Sequence, residues 1–314
     1  MEESPSRASE PRSPPRPRSR PPWSAVPKAS MRTSSRGSVG SLLHHPPIGP
    51  PLVSARSWAV TNSLTGQLLA GSSEDEVRDV ASLTKILTCY TCLKLAKRYP
   101  AITLDLNFKV SSRAAGMPGT RAALLPGDEL SVKNLLYGLM LPSGNDAATC
   151  LAEGIGAILV QTKGLNQKEH SSEAVFVSEM NAFAESLGLE KSKFRNPTGL
   201  MGGKSTAQEI NLLATHAMRL GIFRTIVRSH EHCVGVRGSS GVRRELRWLN
   251  TNKLLEAGFD GLKTGTTLQA GACLTASLHS NGVHLVVTTL HCSSSEARWG
   301  EVRALAAWAQ TRCR

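Results

Sequence analysis

The sequence predicts an α+β fold, an antiparallel sheet flanked by helices with an added helical lobe. Three observations lead there: strand-like runs open and close the globular part, helical periodicity fills the middle, and the last two strand-like runs are joined by only Asn281-Gly282.

In chain order, Ser57-Trp58-Ala59-Val60-Thr61-Asn62 and Gln67-Leu68-Leu69-Ala70 read as two strands of a hairpin turning at Ser63-Leu64-Thr65-Gly66. A helix is expected from Ser82, because Ile86, Leu87, Cys89, Tyr90, Leu93, Leu95 and Ala96 recur at helical spacing with neither Gly nor Pro before Pro100. Residues 101–130 are loop-rich, with turns at Pro118-Gly119 and Pro126-Gly127. Helical patterns occupy about 131–140, 146–159, 173–187 and 207–220, and the polar stretch Gln161 to Ser172 is read as a surface insertion. Strands are expected at about 231–237, 260–267, 271–280 and 283–291. A closing amphipathic helix, about 295–310, should bury Leu305, Trp308 and Ala309.

Composition divides the chain. Residues 1–50 hold 11 of the 17 prolines and eight Lys or Arg against three Glu, with almost no periodic apolar pattern, so a disordered basic tail is expected there. Residues 51–314 are long enough to bury a full core as one globular unit of two lobes. A net charge of +13 invites a nucleic-acid reading, but the basic residues of the globular part are dispersed and aromatics are few, so no nucleic-acid partner is expected. No apolar run reaches 18 residues, and no apolar signal core stands near the N-terminus. Neither a transmembrane segment nor a secretory signal is expected; the Arg/Ser-rich start leaves cytosolic and organellar placement open. Seven cysteines argue against a disulfide framework, and Cys89-Tyr90-Thr91-Cys92 lacks the second pair that a metal site needs. No metal or other cofactor is expected.

Chemistry concentrates in three short segments. Ser82 and Lys85, three residues apart at a helix start, share a face. A serine hydroxyl needs a base within reach to act as a nucleophile, and Lys85 can be that base only if its pKa falls. Burial and the positive end of the helix both push it down. Alone, such a pair is more often a capping serine and a solvated lysine. Two further segments change that balance. Ser143-Gly144-Asn145, 61 residues on, sits on a turn between helical patterns, and Lys263-Thr264-Gly265, a further 120 on, has the composition of a strand.

Jointly they match the Ser-x-x-Lys, Ser-x-Asn and Lys-Thr-Gly signature of class A β-lactamases and penicillin-binding proteins. The middle element is Ser-Gly-Asn rather than Ser-Asp-Asn. The chain resembles the low-molecular-mass D-alanyl-D-alanine carboxypeptidases, peptidase family S11, over about residues 57–310, including Leu135-Leu136-Tyr137-Gly138-Leu139, Asn196-Pro197-Thr198-Gly199-Leu200, Ser205-Thr206-Ala207 and Asp260-Gly261. Gly119-Thr120-Arg121 departs from the Gly-Ser more usual in the family. The chain also stops soon after the closing helix, without the β-rich stalk and membrane anchor of many members, so residues 51–314 are expected to form a single catalytic unit.

The resemblance implies the DD-peptidase and β-lactamase-like fold, with the site between its lobes and a D-Ala-D-Ala-terminated peptide as substrate. β-Lactams are the implied inhibitors. Ser82 is the implied nucleophile, Lys85 its base and Ser143 the proton relay. Asn145 is implied to hold the substrate amide, Lys263, Thr264 and Gly265 to line the carboxylate side, Thr266 to supply an oxyanion N–H with Ser82, and Arg298 to stand near the carboxylate pocket. Which group takes the first proton stays open at this level. Two other readings remain, a β-lactamase-like hydrolase and a non-catalytic binding module on the same fold. Against the first, Lys193-Phe194-Arg195-Asn196-Pro197-Thr198-Gly199 lacks the glutamate with which class A enzymes activate a deacylating water.

Overall fold

The computed structural model describes residues 49–312 apart from 239, 240, 242 and 281. The disordered tail expected over residues 1–50 therefore falls almost wholly outside the described residues, as do Asn281 of the last hairpin turn and Cys313.

The strands are β1 (Ser57–Asn62), β2 (Leu68–Ser72), β3 (Arg78–Asp79), β4 (Asn107–Lys109), β5 (Glu129–Ser131), β6 (Lys204–Ser205), β7 (Glu231–Arg237), β8 (Arg243–Leu249), β9 (Leu262–Thr267), β10 (Gly271–Ser280) and β11 (Val283–Cys292). The helices are α1 (Thr84–Arg98), α2 (Ser112–Ala115), α3 (Val132–Met140), α4 (Asn145–Thr162), α5 (Ser172–Ser186), α6 (Ala207–Met218), α7 (Gly221–Arg228) and α8 (Ala297–Gln310), with 3-10 turns at Ala81–Leu83 and Lys253–Ala257.

The main sheet has the order β2-β1-β11-β10-β9, every pair antiparallel. The chain's first and last strands meet at its centre, where β1 pairs with β11 from Ser57 opposite Leu290 to Asn62 opposite Leu285. Alternation along the strands sorts side chains to two faces. Trp58, Val60, Leu274, Ala276, Leu285 and Val287 go to one face, against Trp299, Val302, Leu305, Ala306 and Ala309 of α8. Each Val or Leu side chain among them contributes about 1.5–3 kcal/mol when fully buried. Ala59, Cys273, Val286 and Leu290 face the larger core beneath α1 and α6. Of the three α8 residues expected inside, Leu305 and Ala309 are fully buried, whereas Trp308 only packs partly against this core.

The helical lobe is built from α1, α3, α4 and α5, whose apolar faces continue the larger core. Two features went beyond expectation. β4, β5, β7 and β8 form a second, four-stranded sheet, so the strand expected at 231–237 does not join the main one. β8, Arg-Arg-Glu-Leu-Arg-Trp-Leu, was hidden by its charges: Leu246 and Trp248 point inward while Arg243, Glu245, Arg247 and Leu249 are exposed. The insertion read from Gln161 starts slightly later, since α4 continues to Thr162.

Asn211 locks α6 to the sheet. Its buried amide nitrogen lies 3.0 Å from the Ala59 carbonyl oxygen, 3.0 Å from Thr61 Oγ1 and 3.2 Å from the Val286 carbonyl oxygen, bridging β1 and β11 from below. Asn211→Leu is expected to lower the unfolding free energy by about 1–3 kcal/mol, read as an earlier urea midpoint with an unchanged slope.

Candidate active site

Ser82 lies in the 3-10 turn just ahead of α1, one step outside the helix where its first turn was expected, and Lys85 is the second residue of α1. The tighter turn is entered through Ala81 at φ 48°, a left-handed conformation that a side chain rarely adopts. That bend leaves Ser82 half-buried and open to solvent, while Lys85 is entirely enclosed. Lys85 Nζ donates to Ser82 Oγ at 3.0 Å, to Asn145 Oδ1 at 2.6 Å and to the Thr198 carbonyl at 2.8 Å. Three distant segments thus meet on one amine.

Each segment is held by local chemistry. Asn145 opens α4, and its Nδ2 donates to the Pro118 carbonyl at 2.6 Å, which fixes the orientation of the amide toward Lys85. Ser143 stands one residue before the helix cap at φ 63° and is 4% exposed. Its carbonyl accepts from Thr120 Oγ1 at 2.7 Å, and the Asn145 N–H reaches the Thr120 carbonyl at 2.8 Å. The Thr120 that departs from the family pattern is therefore part of the support of this turn. Asp146, fully buried, accepts the Ala122 and Leu124 N–H groups at 2.8 and 3.1 Å and ties the same crossing segment to α4.

The segment from Asn196 to Gly199 presses on the nucleophile turn from the other side. Asn196 Oδ1 accepts the Thr198 and Gly199 N–H groups at 3.1 and 2.8 Å, which aims the Thr198 carbonyl inward. Gly199, at φ 79°, has no room for a side chain, because a Cβ there would lie 2.0 Å from the Ala81 carbonyl oxygen.

β9 brings the third motif. It is the edge strand of the main sheet, and its free edge runs past the nucleophile turn: a Cβ on Gly265 would stand 3.1 Å from the Ser82 nitrogen. Lys263 is 1% exposed and donates to the Thr264 carbonyl at 3.0 Å. Thr264 Oγ1 lies 3.0 Å from Thr251 Oγ1, and the Thr251 N–H donates to the Leu141 carbonyl at 3.1 Å, so the strand and the Ser143 turn share one tether. Thr266 is exposed at the cleft. Arg298, from α8, approaches from behind with Nη1 3.1 Å from Thr266 Oγ1 and 3.3 Å from the Gly265 carbonyl oxygen.

The electrostatics follow from burial. Lys85 is pushed well below the ordinary lysine value, chiefly by loss of water and then by Lys263, with Asp146 pulling the other way. Lys263 is lowered to about 7 by burial and by the Arg298 guanidinium. An amine whose pKa burial lowers, 3.0 Å from a serine hydroxyl and beside a second amine lowered to about 7, suits nucleophilic acyl transfer. Among the described residues no group of three or more His, Cys, Asp or Glu is arranged for a metal, and Cys89 and Cys92 are free thiols inside α1.

Eight of the nine residues singled out from the sequence lie on these converging segments, and Arg298 reaches β9 from α8. Thr198, Thr251, Thr120 and Asp146 were not assigned roles. The first acts through its backbone carbonyl and so has no side-chain signature, and the second follows the strand that its charges concealed.

A helical lobe over an antiparallel sheet, with a Ser–Lys pair at the junction, is the DD-peptidase and β-lactamase-like fold. The chain belongs to the D-alanyl-D-alanine carboxypeptidase family, peptidase S11, whose model matches residues 45–294. It is 30% identical to the carboxypeptidase DacF of Bacillus subtilis, over 79% of this chain and 60% of that one. It is also 30% identical to a Streptomyces (strain K15) carboxypeptidase, over 79% and 84%. The crystal structure of the Streptomyces K15 DD-transpeptidase superposes with a TM-score of 0.75 at 28% identity, covering 84% of this chain and 100% of that one. The chain thus spans about three-fifths of the Bacillus relative's length and most of the Streptomyces one. Among the described residues no helix is long and apolar enough to cross a membrane.

Arg298→Gln should remove one of the two causes that lower Lys263 and raise its pKa above about 7, since a nearby cation disfavours the ammonium form. Lysine-ε 13C NMR titration of the variant against the unaltered protein reads the shift.

Proposed function

We propose that the chain is a serine-type D-Ala-D-Ala carboxypeptidase acting through a Ser82 acyl-enzyme. The observation that carries this is the buried Lys85 amine, 3.0 Å from Ser82 Oγ and lowered in pKa by burial and by a second lysine. With its own N–H donors directed at Ser82, Asn145 and Thr198, the amine needs only to lose one proton to accept another from the hydroxyl.

Ser82 Oγ attacks the carbonyl of the penultimate D-alanine and passes its proton to Lys85. The oxyanion is met by the N–H groups of Ser82 and Thr266, each such donor contributing about 2.7–4 kcal/mol to the transition state. Collapse breaks the peptide bond and expels D-alanine, whose nitrogen takes the proton through Ser143. Water then hydrolyses the ester and restores Ser82. Asn145 holds the substrate amide, Thr264 and Gly265 line the carboxylate side, and Lys263 supplies its positive potential. Arg298 acts one layer back: it keeps Thr266 in place and shares the charge around Lys263.

β-Lactams fit the same site as acylating inhibitors. The 193–199 segment offers a carbonyl to Lys85 where a class A β-lactamase carries its water-activating glutamate, so the acyl-enzyme is expected to persist. Release of D-alanine from an acetylated peptide ending in D-Ala-D-Ala should vanish in Ser82→Ala and fall at least about 100-fold in Lys85→Ala, the range of a lost general base. A fluorescent penicillin should leave a stable labelled band on the unaltered protein alone. Equal D-alanine release by the unaltered protein and Ser82→Ala leaves the binding-module reading; rapid penicillin turnover without a band favours the β-lactamase.

The pH profile carries a second expectation. Lys85 works deprotonated, so activity falls as pH drops through its pKa. Lys263→Gln removes the cation that helps keep that pKa low, and the acidic limb of kcat/KM should move to higher pH, apart from any uniform loss of substrate binding.

A further inference from the structure

Beside the nucleophile turn lies a cavity of about 180 Å³ between Ala81, the loop Gly199–Gly203 and the Thr267 end of β9. The acyl transfer proposed above leaves it unused. Ala81 directly precedes Ser82 and Thr267 directly follows Thr266, so the cavity borders the two residues whose N–H groups are assigned to the oxyanion. In that reading the peptide's terminal carboxylate lies at the Lys263 end of β9, and the rest of the peptide continues past Thr266 toward Thr267. The side chain next to the two D-alanines is then the group that reaches this cavity.

What the wall offers a ligand depends on which of its polar groups are already bonded. Among the described residues its only charged lining residue is Asp79, whose Oδ2 lies 3.5 Å from Lys204 Nζ. The Gly199 N–H donates to Asn196 Oδ1 at 2.8 Å, and the Leu200 N–H to Thr198 Oγ1 at 3.1 Å. The Met201 carbonyl accepts from Asn196 Nδ2 at 2.6 Å, the Gly203 carbonyl from the Val80 N–H at 3.1 Å, and Thr267 Oγ1 from the Ala270 N–H at 3.1 Å. Apolar surface remains: the Ala81 methyl group, the Leu200 and Met201 side chains and the bare Cα atoms of three glycines. Gly199 and Gly203 have to stay bare, because a Cβ would lie 2.0 Å from the Ala81 carbonyl oxygen at the first and 2.6 Å from Thr84 Oγ1 at the second. Met201, held at its carbonyl, is nevertheless 78% exposed, so a large apolar side chain stands in water beside the cavity. Covering such surface with an apolar group is favourable in proportion to the area taken from water. The size also fits, since a cavity of ~150 Å³ holds a benzene-sized group.

We propose that this cavity is an acyl-side subsite for an uncharged apolar side chain, selecting peptides that carry one on the residue just before the two D-alanines. The proposal rests on the carboxypeptidase reading. Met201 takes no part in the acyl transfer itself, so its side chain can be altered without touching the chemistry.

The test compares acetyl-Leu-D-Ala-D-Ala with acetyl-Asn-D-Ala-D-Ala, whose variable side chains are nearly the same size and differ in polarity. The unaltered protein should favour the Leu peptide about tenfold in kcat/KM, the low end of what a hydrophobic pocket supports, because this one stays open at Met201. Met201→Ser should lose most of the preference while its rate on the Asn peptide is unchanged, and Met201→Leu should keep it. Equal rates on the two peptides, a preference that survives Met201→Ser, or an equal loss on both peptides in that variant overturns the subsite. If neither peptide releases D-alanine, the carboxypeptidase reading fails instead, and calorimetric binding of the same peptides to Ser82→Ala decides the subsite: tighter binding of the Leu form supports it, and equal binding overturns it.

Discussion

The enclosure of the Lys85 amine organises this molecule. A charged ammonium taken fully out of water costs several kcal/mol unless paired, and no carboxylate bonds to this one. Two consequences follow. The amine gives up its proton more readily, and whatever it can donate must find neutral oxygen acceptors. Those acceptors come from Ser82, Asn145 and Thr198, which reach one point only if the nucleophile turn, the start of α4 and the Asn196–Gly199 segment all pack against α1. Lys85 is thus a structural tie as much as the proposed base, and the two properties have the same origin in burial.

Convergence has a backbone cost. Ala81 and Ser143 both adopt positive φ, each at about 1–2 kcal/mol over an ordinary conformation. Ala81 precedes Ser82 and Ser143 carries the second hydroxyl of the proposed chemistry, and functional sites are where stored strain tends to sit. The surroundings offset it. Gly199 closes over the Ala81 carbonyl as no other residue could, and the Thr120 hydroxyl and the Asp146 carboxylate hold the Ser143 turn and the 118–124 segment through side-chain-to-backbone hydrogen bonds. Cores made of Leu, Ile and Val on either side of the sheet supply the surplus against which this strain is tolerated.

What the sequence disclosed follows the same physics. The long helices and the β9–β11 strands were legible because a face buried along its whole length imposes a period, and the paired strands of the last hairpin alternate between two cores. β8 was not legible: three arginines and a glutamate among seven residues obscure a strand in which only Leu246 and Trp248 are buried. At the site, motif side chains announced themselves through residue type, since only certain groups can be nucleophile, base or anion anchor. The Thr198 carbonyl could not, because every residue has one. Trp308 was counted as interior because the helical stripe passes through it, yet Trp299, Val302 and Ala306 fill that face and leave it at the rim.

Lys85 and Lys263 are best understood together. Each is buried; Lys263 adds to the lowering of Lys85 and Arg298 to that of Lys263, so near neutrality the pair holds fewer protons than two ordinary lysines. In the carboxypeptidase reading proposed above, which of the two amines carries a proton decides whether Ser82 has a base. On Lys85 it leaves Ser82 without a base; on Lys263 it leaves the base free and the anion anchor charged. A carboxylate arriving at the Lys263 end of β9 favours the second arrangement, because it interacts more strongly with the nearer ammonium. On that reading, binding of an anionic substrate favours a charged Lys263 and an uncharged Lys85. The proposed selection of a terminal carboxylate and the proposed readiness of Ser82 to attack then share one electrostatic origin in the two buried amines.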